Sequence, residues 1–242
     1  MKITQDQLRA WGASADLLAW FLATFPAGEA DYQATLDALA DADMPADANW
    51  LMNHAGADGE AVLKAEVIDG RKHLFFAGCV EVAGAISVRG TLRAGLGIKA
   101  GLGIEAGEGI KAGWGIKAGE GIKAIEGIEA GWGIEAGWGI KASDGIEAGD
   151  GIKAGWGIKA GWSIEAGRGI EAGWGIEAGW GIKAGWGIEA GWGIKAGERI
   201  KAGRGFGVFA GLRVRLGRWA QDAVVRAQGK PANLISGHWS GK

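Results

Sequence analysis

The stretch Gly151-Ile152-Lys153-Ala154-Gly155-Trp156-Gly157-Ile158-Lys159-Ala160-Gly161-Trp162 decides the fold. It states one six-residue phrase twice, and that phrase runs from Gly97 to Arg204 with little drift. Isoleucine recurs at every sixth position from Ile98 to Ile200. A short fixed period means that each unit repeats one local structure and buries its apolar side against its neighbours. Collagen needs glycine at every third position, which this spacing breaks. A helix needs a 3.6 period and tolerates little glycine. A three-residue strand with a corner fits. Ile and Ala then share one side of the strand, and the intervening Lys or Glu points the other way. Gly-Trp-Gly would make the corner, because glycine reaches backbone angles closed to other residues.

Three hexads per coil give about eighteen residues per turn, as in hexapeptide β-helices. The expected architecture is mainly β: a triangular β-helix with an N-terminal α-helical domain. The regular part supplies six coils, with Ile and Ala ladders filling a narrow interior. A two-sided coil of about twelve residues is the alternative. The position before the second glycine tests both. It holds Leu102, Glu108, Trp114, Glu120, Glu126, Trp132, Trp138, Asp144, Asp150, Trp156, Trp162, Arg168, Trp174, Trp180, Trp186, Trp192, Glu198 and Arg204. A position that accepts charge is no dry interior, so the indoles are expected outside. Sorting by eighteen places Trp138, Trp156, Trp174 and Trp192 in one column. A second column has Trp162 over Trp180, and a third has Trp114 over Trp132 with Trp186 alone. A period of twelve mixes indole and charge more evenly, which favours eighteen. The Gly-x-Ile-x-Ala wording resembles bactofilins, bacterial scaffold proteins that form polymers; handedness stays open.

Working outward, residues 1–64 read as a small helical domain. Thr4-Gln5-Asp6-Gln7 is a capping box opening a helix to Trp11. Ser14 caps a second helix carrying Leu17, Phe21 and Phe25. Tyr32, Leu36 and Leu39 mark a third, and Pro45 precedes a fourth with Trp50, Leu51 and Met52. Leu-Arg-Ala-Trp-Gly-Ala (8–13), Trp-Phe-Leu (20–22) and Asn-Trp-Leu (49–51) resemble pieces of a module of phage and prophage proteins of unknown role. That resemblance implies a mobile-element origin and no chemistry. Residues 65–242 are the solenoid: one or two irregular coils over 65–96, the regular repeat over 97–204, and a final coil and cap over 205–242. The helical domain is expected to cap the first rung, which otherwise presents an unpaired edge. Trp219–Gln228 fits strand or short helix.

The net charge of −2 implies no general affinity for nucleic acid. Residues 1–72 carry a net −7 and residues 205–242 a net +5. The single Cys79 cannot form an intramolecular disulfide and suits a reducing compartment; its apolar surroundings suggest a buried thiol. Gln5, Asp6, Arg9 and Asp16 interrupt the N-terminal apolar residues, so no signal peptide is read and a cytoplasmic location is expected. No apolar run is long enough for a membrane span. His54, His73 and His238 lie outside the repeat and read as structural or surface residues. No metal-ligand spacing, nucleophile elbow or phosphate loop occurs, so no cofactor, metal or enzyme activity is expected.

The exposed indoles, Trp114, Trp132, Trp138, Trp156, Trp162, Trp174, Trp180, Trp186 and Trp192, are the candidate site. Exposed apolar patches mark partner surfaces, and Trp is enriched at binding hot spots; stacked indoles could equally brace a glycine-rich corner. The leading reading is a non-enzymatic protein-binding solenoid of a mobile element, with inhibition of a host defence complex as one concrete form. The alternatives are a self-assembling scaffold and a glycan binder using Trp138, Trp156, Trp174 and Trp192.

Overall fold

The structure is a computed structural model and describes residues 1–241. Strands begin every six residues from Ile98 to Ile200. Three of them, Ile98–Ala100, Ile104–Ala106 and Ile110–Ala112, make one turn. The next turn then pairs in parallel with the first: Ile116 with Ile98, Lys117 with Lys99, Ala118 with Ala100. The coil is therefore eighteen residues, and the chain forms a parallel β-solenoid with an N-terminal helical region.

Three flat faces result. The first is the column of strands continuing from Ile98, the second from Ile104 and the third from Ile110. The first and second hold ten strands each, the third eight. Ten turns at ~4.8 Å per rung give a tube roughly 43 Å long. Every repeat Ile and Ala is buried inside it, and the Lys and Glu between them stand outside. Opposite charges meet along a face at several places, as in Lys111–Glu129 (2.7 Å) and Lys117–Glu135 (3.0 Å). These pairs are exposed, and each contributes well under ~1 kcal/mol.

The corner glycines work differently from the expectation. Only the last of them, Gly205, has a positive φ; elsewhere that conformation belongs to Gly12, Gly28, Gly56, Gly70, Gly211 and Gly237. The first glycine of each corner is instead held by close approach. A Cβ on Gly155 would sit 2.0 Å from the carbonyl oxygen of Gly137, in the preceding turn. A Cβ on Gly157 would meet the Gly175 oxygen at 3.2 Å, a far milder conflict. So the neighbouring coil crowds a side chain at the first glycine of a corner, and far less at the second.

The ends depart from the repeat. Two irregular turns precede it, starting at Val62–Ala65, three residues before the expected boundary. Two follow it, one more than expected, and neither has a strand on the third face. Segment 219–228 is both things that it could have been: Trp219–Asp222 is helical and Val224–Ala227 is a strand of the second face.

The helical domain contains α1 (Gln5–Ala10), α2 (Ala15–Thr24), α3 (Tyr32–Asp41) and α4 (Pro45–Ala55). The Thr4–Gln7 capping box forms, Ser14 caps α2, and Pro45 opens α4. Two short strands, Lys2–Thr4 and Glu29–Asp31, pair antiparallel between these helices. The domain packs on the flank of the tube. Phe75, an outward position of the third face, joins the helical core with Ala77. Gln33 donates to the Phe75 carbonyl (2.8 Å) and accepts from the Ala77 N–H (2.9 Å). Arg93, on the same face, donates to Asn49 (2.6 Å to Oδ1) and to Asn53. Burial lowers the Arg93 pKa, and burial pushes the Tyr32 hydroxyl up to about 12. On the first and second faces the opening rung stays uncovered by helix: Val62 and Val67 are exposed. The rung is blunted by a bulge at Ile68–Arg71, with Asp69 and Arg71 exposed, a common protection for a free edge.

A pH effect follows at this junction. The Asp43 carboxylate is bonded by Lys72 and by the buried His73, and these bonds, that of Lys72 first, hold its pKa below the usual value. A lowered native pKa contributes stability that is full above the unfolded value of ~3.9 and is lost as pH falls through the native one. Acidification from about pH 5 to 3 should lower the protection of the amides around residues 72–75, read as exchange relative to the intrinsic rate at each pH. Asp43→Asn should exchange faster at neutral pH and lose most of that acid dependence.

Candidate partner-binding ridges and grooves

The three corners of the tube become three ridges. The first ridge, between the first and second faces, carries Trp138, Trp156, Trp174 and Trp192. Successive ring centroids are 5.5, 5.4 and 5.9 Å apart, with planes within 8–19° of parallel. The second ridge carries Trp162 over Trp180 at 6.4 Å. The third carries Trp114 over Trp132 at 5.3 Å. All nine indoles are 43–64% exposed.

Trp186 is not alone. The Arg168 guanidinium lies over its ring at 5.2 Å, and Phe206 stacks on the other side at 5.7 Å. Arg168 is also paired with Asp150 (3.0 Å). Counting by six puts Arg204 below Trp186. Phe206 takes that place because Val208, not residue 206, pairs with Ile188, two residues later than the period requires. Gly205 at φ +81° absorbs the extra length. The run Gly203-Arg204-Gly205-Phe206-Gly207, with Phe206 in the isoleucine position and Gly207 in the charged one, was the available signal.

Stacking changes what the ridges offer. Each inner indole is covered on both faces by its neighbours, so the ridge presents ring rims. Offset-parallel contact of this kind stabilises each pair by ~1 kcal/mol, and the rims remain in water. A groove of about 1050 Å³ runs beside the first ridge along the second face. Its floor includes Gly157 and Gly175, the first ridge forms one wall, and the charged row of the second face, Glu105, Lys123, Lys141, Lys159, Glu177 and Lys195, forms the other. A second groove of about 810 Å³ follows the first face beside the third ridge, ending at Trp186, Phe206 and Phe209. Nothing in the reading of the repeat pointed to grooves; they arise because glycine corners leave a step between each ridge and the charged row.

The last turns shape one end of the first ridge. Residues 210–223 are an insertion at the corner between the first and second faces. Gly211 N–H donates to the Trp192 carbonyl and Arg213 N–H to the Gly191 carbonyl. Gly173 and Gly191 are buried under this segment, and Gln221 and Asp222 line the end of the larger groove.

Other candidates resolve locally. Cys79 is partly exposed and lines the smaller groove, so the expectation of a buried thiol is corrected: it begins the strand, one position outside the inward Val80. His54 packs on Trp50 at 4.2 Å, and His73 bridges Asp43 and the Thr91 N–H. His238 is exposed in the last strand. Among the described residues no three His, Cys, Asp or Glu side chains gather as a metal site. No helix is long and apolar enough to cross a membrane.

The comparisons with known proteins reach only the helical domain. No curated protein and no solved structure matches the chain. Residues 1–57 match the family model of the YdhT N-terminal domain, so the part of this chain that packs on the flank of the solenoid is similar to that domain.

Proposed function

We propose that the chain is a non-enzymatic binding protein, a rigid β-solenoid that docks on a protein partner through the rims of its indole ridges. The carrying observation is the set of nine indoles held in water on three ridges, beside grooves, where exposed aromatic rows of this kind favour partner contact. The resemblance of the leader to phage and prophage modules supports a finer form, a mobile-element protein that blocks a host defence complex. A scaffold role draws support from the first rung of two faces, which no helix covers. The glycan reading is weakened: sugars stack on indole faces, and here the neighbouring indoles occupy those faces.

The test compares the chain with its Trp156→Ala/Trp174→Ala variant as baits in host lysate, followed by affinity measurement on whatever is captured. Removing two adjacent indoles takes away three stacking contacts, about 3 kcal/mol of bracing. Circular dichroism must therefore show the variant folded at the assay temperature. Capture by the native chain and at least about tenfold weaker binding by the folded variant are expected. Equal recovery by both would remove the first ridge from the binding role.

A further inference from the structure

The two grooves are built from the same repeat, yet their charges differ. In the smaller groove Lys117 and Lys153 are paired with Glu135 and Glu171, and Asp150 with Arg168. Lys99 and Glu189 are left over, one of each sign. In the larger groove Lys123 pairs with Glu105 (2.5 Å) and Lys159 with Glu177 (3.4 Å). Lys141 lies between those two lysines in adjacent strands, Lys123 on one side and Lys159 on the other. Among the described residues neither Lys141 nor Lys195 has a carboxylate within ion-pair distance; Lys195 stands between Glu177, already paired with Lys159, and Arg226, and Glu120 is the one unpaired acid of the lining. Three cations in line repel one another, an arrangement that costs stability in a sheet and that a bound anion relieves.

We infer that the groove of the second face binds an extended acidic segment of a partner protein, laid along the tube axis. Its carboxylates meet Lys141 and Lys195, and its alternate apolar side chains lie on the rims of Trp156 and Trp174. The spacing supports this. Lys141 and Lys195 are three rungs apart, ~14 Å at ~4.8 Å per rung, which an extended chain covers in roughly four residues. Side chains of such a chain alternate, so acids every fourth residue face the charged row while the first and third of the three residues between them face the indole wall. A single-stranded nucleic acid fits less well. It would need open indole faces for its bases, and those faces are stacked shut. The inference rests on the ridges being a protein-docking surface and adds to it the chemistry of the partner.

The probe is a fluorescein-labelled peptide with Asp at positions 1, 5 and 9, Leu at the even positions and Ser at the remaining odd ones. The same peptide with Lys for Asp, and an oligo-dT strand, are the comparison ligands. Fluorescence anisotropy is read against the native chain and against Lys141→Glu/Lys195→Glu. That variant keeps the fold, because Glu105 and Glu177 already occupy equivalent positions on the same face. The acidic peptide should bind the native chain, weaken at least about tenfold in the variant and weaken with added salt. The basic peptide and oligo-dT should bind no better than background. Absence of acidic-peptide binding, or equal affinity for both proteins, overturns the inference. Tighter oligo-dT binding that the same variant abolishes reassigns the groove to nucleic acid and overturns it as well. So does self-association of the native chain that the variant relieves, which would make a second copy the occupant. The lysine variant leaves Trp156 and Trp174 intact, so failure here with continued ridge-dependent capture sinks this inference and spares the docking reading.

Discussion

Removal of residues 133–150 is expected to give a folded chain one turn shorter, with a melting temperature within a few degrees of the native one. The deleted length equals the pairing offset, since Ile134 is in register with Ile116 and Ile152 with Ile134. Gly151 then follows Trp132 and the hexad continues unbroken. Trp138, Asp144 and Asp150 are lost, so the first ridge drops to three indoles and Arg168 comes to lie beneath Trp132. Removal of residues 133–135 alone should behave very differently. Half a hexad cannot span a face, so the turn cannot close and its stacking on the next is lost. Each turn buries three isoleucines against its neighbour, each contributing ~1.5–3 kcal/mol. Losing that interface removes about 5–9 kcal/mol, comparable to the whole stability of many domains. Two separate unfolding transitions, or none from a folded state, are expected by calorimetry. A single native-like transition in the short deletion would contradict stacking as the source of stability.

Gly155→Val should destabilise the solenoid by about 3 kcal/mol, and Gly155→Ala by about 2 kcal/mol, both from overpacking. The new Cβ meets the Gly137 carbonyl at 2.0 Å, and that oxygen is fixed in the wall of the preceding coil. Gly157→Ala faces an oxygen at 3.2 Å and should cost under ~1 kcal/mol. The chain carries its own precedent at the second ridge, where Ile125 and Ser143 stand in the equivalent of the Gly155 position. The corner bonds there are long: 3.3 Å from Ile125 N–H to the Ala106 carbonyl and 3.5 Å from Asp144 N–H to the Glu126 carbonyl. At the first ridge the Trp156 to Trp138 bond is 2.8 Å. The bond equivalent to that of Ile125 is 3.0 Å at Gly155, from its N–H to the Ala136 carbonyl, so the corners that hold a side chain are slightly looser. Urea melts of the three variants check the order, and equal losses at Gly155 and Gly157 would refute the close-approach account.

Periodicity alone made the repeat legible. Isoleucine and alanine two apart point the same way on a strand, so their burial followed from the pleat. The charged occupants of the Trp position placed the indoles in water, and sorting that position by eighteen separated columns of indole from columns of charge. The same reasoning misjudged the glycines. Torsional freedom is a property of one residue, whereas the exclusion of a Cβ at Gly155 depends on a carbonyl eighteen positions away.

What the sequence by itself determined is therefore everything that recurs: strand, corner, turn length, inward Ile and Ala, outward Trp. Only the tertiary structure decided what occurs once. Phe75, Ala77 and Arg93 draw the helical domain onto the third face instead of the end of the tube. A two-residue slip brings Phe206 under Trp186. The order of Lys and Glu along each face leaves cations unpaired in one groove and balanced in the other. The physical reason is common to all three. A repeated contact is written again in every hexad and can be read from any of them. A single contact depends on side-chain shape and charge meeting across distant parts of the chain, and no local pattern encodes it.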